Sequence, residues 1–362
     1  MGHIISHSNQ DSLAMAKHVT LGADIIEIVA DYLFELQPFV FQSNKEPANI
    51  CCQKPMWSDV LGFMSASPSL HSVGMARWVS VLNIRTSTDW DTALRYRNSV
   101  RELNCLDGCF DTTESKSVLG HFHRLYTISI DAHGDVQQNP NTGHFVYHTI
   151  IARLPSTVLR LHVKHAHGPD MKIIELVKRY APSMRELWLG RCTMFNRSPA
   201  CKFWSAFPFD HDSYIALEGA EDYVQSLAQE LSPLKQLASL HMGIYLAPSN
   251  IVLAHRAFHS RQLVAPHQIN WEHAVAICQG IQGPHDGAIA SIDIPQLVSL
   301  LHTPLERSFS LDSCSFCRDL FLQDRIYAER QVNGILRGLT GLKSISWMNW
   351  FSYSHLGLSQ EE

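Results

Sequence analysis

The sequence predicts an α/β chain in which a short N-terminal helical module leads into an irregular solenoid of helix, turn and strand units, and three patterns carry that reading. Residues 20–36 place apolar side chains at three-four spacing. A turn followed by alternating apolar residues returns at 154–163, 181–189, 232–242, 302–311 and 340–348, with weaker copies near Val100 and Phe122. Helical patterns precede most of these copies, at 144–153, 173–180, 221–231 and 331–339.

In chain order, residues 1–18 read as a flexible N-terminus. The first helix follows, with Ile25, Ile26, Val29, Tyr32, Leu33 and Leu36 on its apolar face around Asp24, Glu27 and Asp31. Thr20 is placed to cap it, Asp24 suits the positive end of its dipole, and Pro38 stands beyond its end. Residues 37–58 carry Pro38, Pro47 and Pro55 and read as an insertion. Val60, Leu61, Met64, Leu70, Val73, Met75 and Trp78 then resume the apolar series in two short helices divided at Pro68. The β-branched run 79–84 reads as a strand. The helical module is therefore expected over 19–85 with its insertion at 37–58, the solenoid over 86–355 and a tail over 356–362.

Within the solenoid, Leu103, Ile128, Leu161, Leu187, Leu240, Phe309 and Ile345 are expected at equivalent strand positions. The first three intervals, 25, 33 and 26 residues, are near leucine-rich-repeat length, whereas the next two, 53 and 69, call for inserted loops in 190–220 and 243–300. Such a unit cannot bury its helix and strand alone, so neighbours stack and their parallel strands form one surface suited to binding. The outward strand residues Arg160, His162, Lys164, Arg185, Glu186, Trp188, Ser239 and His241 are candidate contacts for a target, although strand positions of this kind are often only solvated.

The chain has 362 residues, enough for two domains or for one domain and an elongated array. With 45% hydrophobic and 17% charged residues it is expected to fold. A net charge of −5 argues against a surface that neutralises phosphates, so no nucleic-acid partner is expected. The apolar stretches 23–34 and 294–305 are interrupted well short of the ~20 residues that cross a bilayer. Met1, Gly2 and Ser6 fit a loose acylation pattern, but no signal-like apolar run or basic cluster accompanies them, and no membrane partner is expected. Nine irregularly spaced cysteines, with Cys51 and Cys52 adjacent, suit reduced thiols and a cytoplasmic or nuclear protein.

Leu21, Asp24, Ile25, Ile26, Val29, Tyr32 and Leu33 resemble the opening helix of an F-box, L-P-x-[ED]-[IL]-[IL]-x-x-[IV]-x-x-[YF]-L, with Gly22 where the proline stands. Leu61, Met64, Ser67, Leu70, Val73, Met75, Trp78 and Leu82 look like the second half of that motif. An F-box ahead of irregular leucine-rich repeats is similar to the F-box-like proteins of fungi. The resemblance implies a non-enzymatic substrate-recognition subunit of a cullin-RING (SCF-type) ubiquitin ligase that needs no cofactor. Leu21, Ile25, Ile26, Val29, Tyr32, Leu33, Leu61, Met64 and Trp78 would dock on the ligase adaptor, and the repeats would hold a target protein. The residues themselves allow the same mechanism, an apolar helix stripe buried in a partner groove, or packing of that stripe as ordinary core. The alternative function is a leucine-rich-repeat-like interaction scaffold with no ligase link.

With 21 histidines and nine cysteines, reactive-looking pairs can be drawn almost anywhere. No glycine-rich phosphate loop, nucleophile elbow or H-E-x-x-H is present, so no enzyme is expected; a metal-dependent hydrolase using the histidine-rich insertions is the enzymatic alternative. No metal is expected either. The nearest candidate is Cys314 with Cys317, a C-x2-C pair needing two more ligands such as Cys278 or His302, and otherwise read as two buried thiols. His162, His165 and His167, and His255 with His259, read as loop histidines, with metal binding or pH sensing as the alternative.

Overall fold

The computed structural model describes residues 22–40, 47–193, 201–205, 220–244, 246, 309–310, 325–347 and 358–359. The chain is mixed α/β and divides into two compact units, one of Met1–Leu36 with Lys54–Trp78 and one of Gln37–Gln53 with Val79–Glu362.

The first unit contains α1 (Ala23–Leu33), α2 (Trp57–Ala66) and α3 (Pro68–Trp78). Gly22 stands at the N-cap of α1 and brings no capping side chain, while the expected cap, Thr20, lies outside the described residues. Between α2 and α3 the chain breaks at Ser67, which is extended because the following proline disfavours helical backbone there. Pro68 then opens α3 at a position that needs no N–H, and the Ser67 hydroxyl accepts the Leu70 N–H at 3.2 Å. Ala30, Phe34, Val60 and Met64 form the small core, flanked by half-buried Leu33, Phe63, Val73, Met75 and Trp78. Phe34 meets Phe63 edge-on at 5.8 Å. Arg77 on α3 pairs with Glu27 and Asp31, one turn apart on α1.

The second unit runs β1 (Val81–Ile84), α4 (Asp89–Arg95), β2 (Glu102–Cys105), β3 (Thr127–Asp131), β4 (Val136–Gln138), β5 (Phe145–Tyr147), β6 (Arg160–Ala166), α5 (Asp170–Tyr180) and β7 (Glu186–Arg191). It continues through α6 (Lys202–Ser205), α7 (Ala220–Leu231), β8 (Ser239–Met242), β9 (Phe309–Ser310), α8 (Arg325–Thr340), β10 (Ser344–Trp347) and β11 (Leu358–Ser359), with 3-10 turns at Ser115–His121 and His133–Asp135. Strands β1, β2, β3, β6, β7, β8 and β10 form a seven-stranded sheet in sequence order, every neighbouring pair parallel. In its register Leu82, Leu103, Ile128, Leu161, Leu187, Leu240 and Ile345 stand side by side. The row two residues on is Ile84, Cys105, Ile130, Val163, Leu189, Met242 and Trp347. Because side chains alternate along a strand, both rows face the same way and build the main core. Onto them pack Ile174 and Val177 of α5, Val224, Leu227 and Leu231 of α7, and Val332 and Leu336 of α8. Helix α8 ends at Gly341, whose φ of +77° lets its N–H return to the Arg337 carbonyl.

Three expectations need correction. Phe309 does not join the sheet row: β9 pairs with β11, and β10 lies directly beside β8. The helix expected at 144–153 is absent, because Phe145, Val146 and Tyr147, aromatic and β-branched, pair as β5 antiparallel to β4. Residues 37–53, expected as an insertion in the helical module, belong to the sheet unit together with the 79–84 strand. Gln37 bridges Gln53, and Ile50 and Cys51 are buried. The Lys164 ammonium donates to the Ala48 carbonyl at 2.7 Å, the Cys52 N–H donates to Glu102 at 2.6 Å, and Phe39 meets Trp188 edge-on at 6.2 Å. Phe39, Ala48 and Cys52 therefore lie over the polar side of β2, β6 and β7.

No helix among the described residues is long and apolar enough to cross a membrane. Cys51, Cys52, Cys105, Cys109, Cys192 and Cys201 are free thiols.

Leu161 is fully buried in the middle of its row. Leu161→Ala is expected to remove about 3 kcal/mol of stability, read as a lowered urea midpoint with an unchanged slope. At Gly243 an added Cβ would meet the Arg191 nitrogen and the Leu189 oxygen at 2.7 Å each. Both are backbone atoms at the end of β7, so Gly243→Ala is expected to lose about 1–3 kcal/mol in the same measurement.

Candidate functional site

Two surfaces and one side-chain cluster hold the chemistry. On α1 the apolar residues Ile25, Ile28, Val29 and Tyr32 are 50%, 67%, 41% and 79% exposed. Leu61 on α2 is exposed as well, as are Met56 and Trp57 at the start of that helix. Among the residues expected to meet an adaptor, Ile25, Val29, Tyr32 and Leu61 are thus open, while Ile26, Leu33 and Trp78 are half-buried. Met64 is instead buried, because it fills the core of the three helices, and Leu21 lies outside the described residues.

The second surface is the polar side of the sheet, opposite the main core. Its rows are Val81, Glu102, Thr127, Arg160, Glu186, Ser239 and Ser344, and then Asn83, Asn104, Ser129, His162, Trp188, His241 and Ser346. The residues expected to bind a target do stand on this side or at its edge, but not all are open. His162, Lys164 and Trp188 are buried, Arg160 and His241 are half-buried, and Arg185 is exposed. The reason is that these side chains hold one another and the 37–53 segment. Arg160 pairs with buried Glu102 at 3.3 Å and donates to the Thr127 hydroxyl at 3.0 Å. His162 shares a hydrogen bond with the Ser129 hydroxyl at 3.0 Å, and Trp188 donates to Glu186 at 2.6 Å while its ring stacks on His241.

The cluster lies where the strands leave the sheet. His133 opens the 3-10 turn after β3, His167 directly follows β6, Cys192 directly follows β7, and Cys201 directly precedes α6. Parallel strands in register end along one edge, so residues just past them become neighbours. Between β6 and β7 the pairing slips by one residue, Val163 facing Leu189 and Ala166 facing Arg191, and His165 within that bulge has a φ of +53°. The bulge leaves His165 on Asp131 at 3.0 Å and His167 on Asp135 at 2.7 Å.

Among the described residues, His133, His167, Cys192 and Cys201 could together hold a metal ion, their ligand atoms all lying within 4.8 Å of one another. The Cys201 sulfur is 3.1 Å from His133 Nε2 and 3.4 Å from His167 Nε2. Hydrogen bonding from Cys192, and then from His133 and His167, holds the Cys201 thiol far below the usual thiol range. His133 Nδ1 faces Asp107 at 3.4 Å. Asp135 accepts His167 Nδ1 on one oxygen and, on the other, the backbone N–H groups of His167 and Gly168 at 2.8 Å each. Arg191 donates to the Gly168 carbonyl at 2.7 Å and pairs with buried Asp170 at 3.0 Å, so residues 167–170 are held from both sides.

Sequence patterns do not single out His133, Cys192, Cys201, Asp107 or Asp135, and they present His167 as a loop histidine. Neither the histidine spacing nor the cysteine spacing matches a familiar metal motif. One signal is nevertheless there: His133 stands five residues beyond Ile128 and Cys192 five beyond Leu187, while His167 stands six beyond Leu161, the bulge taking up the extra residue. Cys314, Cys317, Cys278, His302, His255 and His259 lie outside the described residues. The chain matches no family model, no curated protein and no solved structure.

Burial pushes His241 down to about 4, and burial first, with Lys164, His165 and His241 nearby, pushes His162 well below the usual histidine range. In the unfolded chain both titrate near 6.5. Above that pH both states are neutral and neither residue affects stability. Below it the unfolded chain takes up protons that the folded chain refuses, so stability falls as the pH drops toward about 4, by about 3 kcal/mol for His241. Urea unfolding at about pH 7.5 and about pH 5 is expected to show this loss, and His241→Gln to flatten part of it.

Proposed function

We propose that this chain is a non-enzymatic target receptor in which the three-helix unit docks on the adaptor subunit of a cullin-RING (SCF-type) ubiquitin ligase. In this reading the sheet unit is an irregular leucine-rich-repeat-like solenoid that holds a target protein. The single observation behind it is the exposed stripe of Ile25, Ile28, Val29 and Tyr32 on α1. Among the described residues that helix meets its core through Ala30 and, just past its end, through Phe34, and the stripe lies outside that packing. An amphipathic helix with a second, unburied apolar face suits a partner groove. The resemblance of Asp24, Ile25, Ile26, Val29, Tyr32 and Leu33 to an F-box opening helix supplies the identity of that partner.

The solenoid reading is supported by strands that follow one another in sequence order, by a single in-register aliphatic row, and by helices α5, α7 and α8 packed against the same side. With the polar side partly covered by the chain itself, the positions left for a target are at the strand entries and the open end of the sheet. Arg185, Lys343 and Ser344 are exposed there. Binding to such a surface breaks no bond and calls for no cofactor.

Purified full-length chain is expected to co-purify with the adaptor. An Ile25→Asp, Tyr32→Asp variant, both changes at exposed positions, is expected to keep its circular dichroism and lose at least ~100-fold in affinity. Wild-type protein that ignores the adaptor would overturn the ligase link and leave the interaction scaffold as the better reading.

A further inference from the structure

The geometry points to a structural zinc site at the strand-exit edge of the sheet, with Cys192 Sγ, Cys201 Sγ, His133 Nε2 and His167 Nε2 as its four ligands. The donor set is the first argument. Two thiolates and two imidazoles suit zinc and disfavour magnesium or calcium, which take oxygen. Distance is the second. Zinc–sulfur bonds of about 2.3 Å and zinc–nitrogen bonds of about 2.0–2.1 Å put neighbouring donors of a tetrahedron roughly 3.3–3.8 Å apart. The sulfur of Cys201 stands 3.1 Å and 3.4 Å from the two histidine nitrogens, and all four donors fall within 4.8 Å. The Cys201–histidine separations already lie near that range, and the 4.8 Å span of the whole set leaves about 1 Å to close on binding.

Orientation is the third argument and separates this cluster from a chance gathering. Both imidazoles turn Nδ1 toward a carboxylate, Asp107 at 3.4 Å and Asp135 at 2.7 Å, and both aim Nε2 at Cys201. A carboxylate on Nδ1 keeps the proton on that nitrogen and leaves the Nε2 lone pair for a metal. Asp135 also fixes the backbone of His167 and Gly168 while Arg191 clamps the same turn from its carbonyl side. A Cys192–Cys201 disulfide would account for the two sulfurs but not for two imidazoles aimed at the same point.

Zinc takes both sulfurs as thiolates, and two thiolates leave the divalent ion electrically neutral. Four protein donors fill a tetrahedral ion, so no position is left for a water and the role is to hold the fold. Zinc would fasten the ends of β3, β6 and β7 to one another and pull Cys201, at the start of α6, onto the same edge. The inference does not depend on the ligase reading, since it concerns a different set of residues and a different measurement.

Full-length protein purified under reducing conditions with zinc present is expected to carry one zinc at this site. Alkylation of the native protein followed by peptide mass spectrometry should leave Cys192 and Cys201 unmodified until a chelator is added, and then label both. Cys201→Ser and His167→Asn should each lose that equivalent. Asp135→Asn, which keeps all four ligands but offers His167 Nδ1 a donor, should weaken zinc about 10–100-fold. Cobalt in place of zinc should give the absorption of a tetrahedral ion with thiolate charge transfer. Equal labelling of Cys192 and Cys201 with and without chelator would overturn the site, as would a Cys192–Cys201 disulfide in the reduced preparation. Full zinc content in a folded Cys201→Ser, His167→Asn double variant would overturn it too, by placing the ion on other cysteines. Should that variant fail to fold, the alkylation pattern of wild type decides alone.

Discussion

Parallel strands cannot be joined by a tight turn, so each strand of the sheet must be followed by a length of chain that travels back to the starting edge. In this protein that return is made by α4, by the 3-10 turn at Ser115–His121, by the stretch that carries β4 and β5, by α5, and by longer crossovers containing α7 and α8. Because the crossovers carry apolar residues, they settle on one side of the sheet and cover the aliphatic rows that begin at Leu82 and Ile84. The in-register ladder is therefore what the larger unit depends on. It gathers every strand entry on one edge and every strand exit on the other, and residues far apart in sequence meet wherever they hold the same place relative to a strand. His133, His167 and Cys192 are such residues.

The opposite side of the sheet is polar, yet much of it is not solvated. Glu102 is fully buried with Arg160 as its partner, and Lys164 is buried with the Ala48 carbonyl. Charges removed from water need such partners, and truncating one member of a pair would leave the other exposed to the full desolvation penalty. Burial, with Glu102 nearby, also pushes the Cys51 thiol upward, so that thiol packs as an inert apolar group. Residues 37–40 and 47–53 thus cover the second side of the sheet over part of its width, the condition parallel sheets usually require. That cover turns residues of target-binding type, such as His162 and Trp188, into structural ones.

The three-helix unit solves a different problem with few residues. Among the described residues its core is built on Ala30, Phe34, Val60 and Met64, and it leaves other apolar side chains of α1 and α2 exposed. Arg77, reaching Glu27 and Asp31 at once, adds a polar tie between α1 and α3. The unit leaves Ile25, Val29 and Tyr32 exposed, and the proposed adaptor docking rests on this stripe.

Many elements of the fold are written in local patterns of the chain. The three-four spacing from Ile25 to Leu33, the division at Pro68 and the helices around Ile174, Val224 and Leu336 all depend on neighbours within a few residues, and so does the alternation at Leu161, Leu187 and Leu240. Even the equivalence of six strand positions is legible in the amino-acid order, because each repeats the same short plan. Phe145 to Tyr147 sit in a helix-like spacing yet form a strand, because a three-residue strand declares itself only through its partner, here β4. Phe309 copies the local plan but pairs with β11, since a strand's address is set by the strand it meets. The cover provided by residues 37–53 and the meeting of His133, His167, Cys192 and Cys201 are decided by tertiary structure alone. Both need contacts between residues tens of positions apart, brought together by crossover lengths and by one bulge at His165, and no periodicity in the chain encodes such distances.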